Sequence, residues 1–393
     1  MLPQETDVLI VGAGPTGLAL AVTLQQAGVR PVIVDRLAAG QNTSRAAVIH
    51  AHTLEVLERL GVTDDLERHG LPLTRFALRD HDKALLELDF STLPSRYAQI
   101  LMIPQDETEA ILADRLASLG GAVARGVTAT RIERDAAGAV VHVETPEGPQ
   151  AIRARYVVGG DGMHSVVREA AGIAFDGESA AGSFVLADVH MDWALSTEVT
   201  LFFSPEGMGV VAPLPANRYR IVAPVEDAPE APDAAFVQAL LEARGPRKSP
   251  GRVREVLWSS RFRVHHRVAA RYRSGPFFVM GDAAHVHSPA GGQGMNTGLV
   301  DAVVLGKLLA DVIVGRAPDT TLDLYEEKRR PAAAEVLALA DRLTRIATMR
   351  SLAGRILRNL ALRLLGASPV FRRKLALNLS GLARKGLAMV PRR

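Results

Sequence analysis

The first 35 residues constrain this chain more than any other stretch. A short, mostly apolar run, Thr6–Val11, leads into Gly12-Ala13-Gly14-Pro15-Thr16-Gly17. Leu18–Ala27 then reads as a helix, and Val32–Val34 as a second strand closed by Asp35. Gly12 permits a tight turn, Gly14 lets a pyrophosphate approach the backbone, and Gly17 lets the helix pack close to the strand. Asp35 follows Gly17 by 18 residues, where an acid holds a pair of ribose hydroxyls. A turn that is merely glycine-rich leaves Asp35 unexplained.

A second anchor lies far along the chain. Phe277–Met280 is a strand-like run that ends in Gly281-Asp282. A loop rich in proline and glycine follows, and helical spacing resumes near Gly294. The acid can accept from sugar-like hydroxyls, and bare backbone lets N–H groups approach a flat ring. The helix start offers partial positive charge to an anionic head. Flavin adenine dinucleotide has that shape.

At 393 residues the chain exceeds one ordinary core and suggests two domains or an α/β unit with an insertion. With no cysteine, disulfides, thiolate metal sites and cysteine nucleophiles are excluded. His265 and His266 are adjacent and point apart on a strand, so they make no metal site. No apolar run approaches the ~20 residues that cross a bilayer, and the N-terminus lacks signal-peptide character. The expectation is a cytoplasmic protein. Of 46 basic residues, 13 lie between Arg342 and Arg393 with no acid among them, leaving 33 against 43 acidic residues elsewhere. A basic tail on an acidic body gives a nucleic-acid reading little support.

Between the anchors, Thr53–Leu60 and Gln105–Leu119 read as amphipathic helices. Val140–Val143 and Ala154–Val158 read as strands, the first two parts of a βββ-like excursion that returns to the main sheet. From about Asp176 to Val264 the pattern turns to alternating strands, among them Val199–Phe203, Gly209–Ala212 and Arg218–Val222.

Three motifs now stand in order: the glycine triplet, Gly160-Asp161-Gly162-Met163-His164-Ser165-Val166-Val167-Arg168, and Gly281-Asp282-Ala283-Ala284-His285 running through Gly292-Gln293-Gly294-Met295-Asn296. Together they resemble the single-component FAD-dependent aromatic hydroxylases, the para-hydroxybenzoate hydroxylase group. Ser44-Arg45-Ala46 through Leu57, and Arg372-Arg373-Lys374 to Leu382, look most like the phenol and polyketide branch. The resemblance implies an α/β fold: a Rossmann-like FAD-binding domain with an inserted β-sheet substrate domain and a C-terminal helical segment. The expected divisions are 1–72, 99–175 and 265–340 for the FAD domain, 73–98 and 176–264 for the substrate domain, and 341–393 for the basic helices.

The resemblance also assigns roles. Gly12, Gly14, Pro15, Thr16 and Gly17 would cradle the dinucleotide, with Asp35 and Arg36 at the adenosine ribose and Arg45 at the pyrophosphate. Gln105 would reach the ribityl or phosphate region, and Gly281-Asp282 the ribityl hydroxyls. Pro289, Gly292, Gly294, Met295 and Asn296 would line the isoalloxazine ring. Asp161 would serve FAD, and His164 and Arg168 the phosphates of NADH or NADPH, although Arg168 equally suits bracing the fold. His285 and His287 suit satisfying backbone groups near the loop.

The implied reaction is hydroxylation of a phenolic or polyketide-like ring, with NAD(P)H reducing FAD and dioxygen captured as a flavin hydroperoxide. The chemistry is borne by the flavin, and the weak catalytic candidates are Arg218 and Pro289. Pro213-Leu214-Pro215 replaces the arginine-bearing turn that grips a benzoate carboxylate, and Arg220 stands where a phenol-binding tyrosine would be, a pocket candidate beside Phe202 and Met208. Phe202, Phe203, Met208 and Trp193 supply an apolar wall for a larger ring system or are ordinary sheet core. A reductase or dehydrogenase of quinone or isoprenoid substrates, a halogenase, and an FAD-holding binding protein are the alternatives. A homodimer stays open, and no nucleic-acid partner is expected. The tail's amphipathic basic stretch, Arg342–Leu365, is expected to pack on the body with its arginines solvated or meeting the acidic body, and peripheral membrane contact is the alternative.

Overall fold

The structure is a computed structural model that describes residues 2–40, 46–349 and 351–388, the side chains of 179–181 excepted. Its hub is Glu5–Val11, whose Val8, Leu9 and Ile10 are fully buried. This strand pairs in parallel with Val32–Asp35 on one side and Gly148–Gly159 on the other. Val123–Arg125 extends the sheet beyond Val32–Asp35, and Phe277–Val279 extends it beyond Gly148–Gly159, again in parallel. The register is what matters for function. Val11 stands opposite both Val34 and Gly159, and Gly159 opposite Val279. The segments that follow these strands therefore emerge along one edge: Asp35, the glycine triplet, Gly160-Asp161 and Gly281-Asp282. In open parallel sheets the carboxyl edge is where ligands bind.

The excursion has the expected three strands, but the two read from the sequence are its second and third rather than its first and second. Thr128–Arg134, Ala139–Thr145 and Gly148–Gly159 form an antiparallel meander whose last member joins the parallel sheet. Thr128–Arg134 is largely polar and exposed, so it carries no apolar alternation to read. Pro15–Gln26 packs on Gly294–Ile313 and on Gln105–Ser118.

A second sheet of eight strands runs in the order 285–286, 252–269, 175–192, 218–225, 207–214, 198–204, 75–80, 83–89. Two 18-residue strands, Phe175–Asp192 and Arg252–Ala269, pair along their length and carry the chain from one sheet to the other. Phe202, Val211 and Ile221 lie under the helix Ala234–Arg244. On the opposite face, Ala212 and Leu214 pack with Ala47, Ile100, Met102 and Leu379. Those partners come from the small sheet of Val48–His50, Ile100–Met102 and Leu71–Leu73 and from the C-terminal helices.

The expected apolar wall is therefore not one wall. Phe202 belongs with Trp193, edge to face at 5.9 Å, to the core beneath Ala234–Arg244. Phe203 and Met208, opposite one another across the ladder, belong to the other face with Leu85 and Ala347. Successive residues of a strand point to opposite sides.

The basic tail folds as helices Asp323–Ala347, Leu352–Gly366 and Pro369–Leu379, each packed on the body. Arg342, Arg345, Arg363, Arg372 and Arg373 are exposed, as expected, and Arg358 departs from that expectation. Arg358 is buried, its guanidinium 4.0 Å from the Phe203 ring centre and its Nη1 donating to Ile346 O at 3.2 Å. Leu362 packs inward with Phe203 and Met208, but most leucines of that helix face outward. No described helix is long and apolar enough to cross a membrane.

Phe202→Ala should lower unfolding stability by about 3–5 kcal/mol and leave substrate binding to the folded protein unchanged. Chemical denaturation beside ligand titration checks this; weakened binding with intact stability would return Phe202 to the pocket.

Candidate functional site

At the first strand end the backbone is fixed by contacts that only glycine allows. Gly12 has φ +99°, and a Cβ on Gly17 would fall 1.9 Å from Gly12 O. Gly12 N donates to Val34 O at 2.9 Å, and Ala13 N donates to Asp35 Oδ2 at 2.7 Å. Asp35 Oδ1 accepts from Leu37 N at 2.9 Å, with Arg125 at 3.8 Å. Asp35 is thus held against the triplet that it is expected to serve. Gly14 then opens the helix Pro15–Gln26 with no side-chain cap and no acid in the first turn. Among the described residues, no heavy atom lies within 4 Å of where its Cβ would stand. Unsatisfied N–H groups facing open space suit an anionic pyrophosphate.

The second helix start, at Gly294–Ile313, likewise has no side-chain cap and no first-turn acid. The loop before it is clamped from outside. His50 Nε2 donates to Gly291 O at 2.8 Å, and Asn296 Nδ2 donates to Val48 O at 2.9 Å and Gly292 O at 2.8 Å. Asn296 Oδ1 accepts from His50 N at 2.8 Å. Gly292, at φ +61°, lies so close to Val48 that a Cβ would come within 2.2 Å of its Cγ1. Gln293 Nε2 donates to Leu379 O at 2.8 Å, and Arg384 Nη2 donates to Gln293 Oε1 at 3.0 Å. Carbonyls and side chains of Gly291–Asn296 are spent on the clamp, and the first-turn N–H groups of the helix remain for a ligand. Two uncapped starts and a turn carrying an exposed Asp282 fit an extended dinucleotide with a flat ring.

Beneath this edge lies a charge network that the sequence reading missed. Asp301 Oδ2 accepts from His285 Nε2 at 2.8 Å, and Oδ1 accepts from Arg329 Nε at 2.7 Å, all three buried. Burial alone would raise the Asp301 pKa, but Arg329 and His285 outweigh it and hold the carboxyl below its usual value. Gly281 N also points at Asp301 Oδ2, at 3.3 Å, so the network supports the turn that carries Asp282. Asp301 was findable, as the one charge in the apolar stretch Leu299–Leu305; Arg329 hides in a run of charged residues.

His50 and His287, beside the ring loop, are neutral at physiological pH. Burial pushes His50 and His287 each down to about 4. Backbone carbonyls fix their tautomers, because His287 Nδ1 must carry the proton it gives to Ser288 O at 2.7 Å.

Several expected contacts sit elsewhere. Asp161 Oδ2 accepts from Val166 N at 2.8 Å and Val167 N at 3.4 Å, so this carboxylate caps its own short helix, Val166–Ala170. Burial raises its pKa. Arg168 is a brace: Nη1 donates to Ala283 O at 2.9 Å, Nη2 to Met163 O at 2.7 Å, and the guanidinium lies 3.9 Å from the Phe175 ring centre. Arg220 is forked onto Asp188, with Nε and Nη2 each at 2.7 Å, and both residues are buried. Arg218 Nε donates to Pro215 O at 3.1 Å and closes its hairpin. Gln105 Oε1 accepts from Ala46 N at 3.2 Å, and its Nε2 donates to Glu109 Oε1 at 2.8 Å, next to the segment that holds Arg45. Arg45 itself lies outside the described residues. Arg36 and His164 are exposed, Met295 is partly buried, and Pro289 leads into the clamped loop.

Residues 5–340 match the family described as FAD binding domain. Over 352 residues the chain is 38% identical to the 12-dehydrotetracycline 5-monooxygenase/anhydrotetracycline 6-monooxygenase of Streptomyces rimosus, covering 84% of this chain and 68% of that protein. The chain belongs to the FAD-dependent aromatic monooxygenases. Pentachlorophenol 4-monooxygenase of Sphingobium chlorophenolicum is 34% identical, over 85% of this chain and 63% of its own length. The crystal structure of p-nitrophenol 4-monooxygenase from Pseudomonas putida superposes with a TM-score of 0.89 at 25% identity, covering 99% of this chain and 100% of that one. The chain thus spans about two thirds of the curated relatives' length and the whole of that solved structure. Membership favours oxygen transfer over the reductase, halogenase and binding-protein alternatives.

Asp282→Ala should weaken FAD binding by about 1.5–3 kcal/mol through loss of charge-assisted hydrogen bonds. Flavin fluorescence titration checks it; unchanged affinity would contradict the assignment.

Proposed function

We propose that this monooxygenase uses NADH or NADPH and dioxygen to hydroxylate a fused phenolic ring system of polyketide type. The observation that carries the site is the alignment of Asp35, the Gly14 helix start and the Gly281-Asp282 turn on one sheet edge. When bound there, FAD supplies hydride acceptance and oxygen activation.

The chain's own residues supply binding and orientation. Asp35 accepts from the ribose, Asp282 from the ribityl hydroxyls, and the helix start at Pro15 takes the pyrophosphate together with Arg45. The clamped Gly291–Asn296 backbone would line the ring, and N–H groups at the uncapped Gly294 helix start would stabilise negative charge on the reduced ring. His164, exposed beside the Asp161 loop, is the nicotinamide-phosphate contact; Arg168 holds that loop in place.

Substrate size is inferred from two observations. Arg220, which stands where a phenol-binding tyrosine would be, has its charge matched by Asp188, which disfavours a carboxylate anchor. Among the relatives, proteins named for tetracycline-type substrates reach 38% identity, against 34% for the pentachlorophenol enzyme.

Stopped-flow reduction of the holoenzyme by NADH and by NADPH, across phenols, naphthoquinols and fused polyketide aromatics, tests this reading. A fused phenol should accelerate reduction and leave as an oxygenated product, and His164→Ala should raise the nicotinamide KM with FAD still bound. Acceleration by simple phenols alone would overturn the substrate class, and an unmoved KM the His164 role.

A further inference from the structure

We propose that the outward face of the C-terminal helices is a seat for an anionic lipid surface. Leu352–Gly366 is built in reverse for a helix on a soluble body. Two of its polar residues turn inward: Arg358 is buried against Phe203, and Asn359 Nδ2 donates to Asp80 Oδ2 at 2.9 Å. Leu362 packs inward beside them, while most of its large apolar residues turn outward. Leu352, Ile356, Leu360 and Leu364 recur every four residues as one row, each between 52% and 67% exposed. The row runs about 18 Å at the ordinary helical rise. Leu357 stands beside it, and Val370, 77% exposed, continues the apolar character on the next helix. A contiguous apolar surface of this kind marks an interaction site.

Charge selects the occupant. Exposed cations accompany the row on the same and adjoining helices: Arg342, Arg345, Arg363, Arg372, Arg373 and Lys374. From 342 to 393 the sequence has no acidic residue to answer them. A second copy laid face to face would oppose two all-basic surfaces, which is unfavourable. An anionic bilayer meets both demands, an apolar layer for the leucines and negative headgroups for the cations. The rest of the chain, 33 basic against 43 acidic residues, would be repelled by the same surface, so binding is oriented as well as reversible. The helix lies in the interface and does not cross it.

The test is co-sedimentation of the FAD-loaded full chain with vesicles of phosphatidylcholine containing one third phosphatidylglycerol, against phosphatidylcholine alone, at low salt. The bound-to-free ratio should be on the order of tenfold higher on the anionic vesicles and fall with added salt. Leu360→Glu/Leu364→Glu should lower it by on the order of tenfold, with flavin content and turnover in solution unchanged. Should that variant lose its flavin, Arg372→Gln/Arg373→Gln/Lys374→Gln, which leaves the row intact, should still reduce binding to the anionic vesicles alone. Recovery wholly in the supernatant, or equal binding to both vesicle types, overturns the proposal. So does a solution mass of two chains that drops to one in Leu360→Glu/Leu364→Glu, because a second copy would then cover the face.

Discussion

In-register parallel pairing around Glu5–Val11 is the constraint on which the site rests. Five strands from distant parts of the chain end at nearly the same height, because Val34, Gly159 and Val279 align with Val11 directly or through one neighbour. A slip of one residue would turn every side chain to the other face and would separate Asp35 from the turn it holds. The alignment places an acid, two glycine turns and two helix starts along one edge. The inner strands are apolar and buried on both faces: Ile10, Ile33 and Val158 face the helices, and Leu9, Val34 and Val157 face the antiparallel meander.

Electrostatics at that edge are set by backbone more than by side chains. Neither helix start is capped by a side chain or opposed by an acid in its first turn, so both present partial positive charge toward the cleft. The nearby histidines add none, since burial keeps His50 and His287 neutral. The buried carboxylate beneath the Gly281 turn, Asp301, is matched by Arg329 and His285, so it braces that turn without placing a bare negative charge under it. A site in which preorganised N–H groups face an anionic cofactor follows from these choices.

The parts legible in the sequence are those whose physics is local. A glycine triplet between strand and helix, an acid at a strand end and a helix opening at Gly294 each carry their own spacing, and each stands where that spacing puts it. What was not legible depends on pairing. Asp188 and Arg220 meet only because their strands align in that register. Phe202 and Phe203 are consecutive on a strand, so alternation already forbade a shared wall; that signal was present and was overlooked. The tail showed amphipathic spacing, but spacing does not say which face turns inward. Arg358 turned in because an aromatic face and a backbone carbonyl were there to receive it.

The central claim is that the open mouth in front of Gly14 seats the cofactor's pyrophosphate. Measuring FAD affinity by fluorescence titration for the native chain and for Gly14→Glu tests it most directly. Gly14 has ordinary negative φ and open space at its Cβ position, so the substitution leaves folding intact. A carboxylate placed there should repel the phosphates and weaken FAD binding by at least about tenfold, with an unchanged unfolding midpoint. FAD bound as tightly as by the native chain would contradict the account.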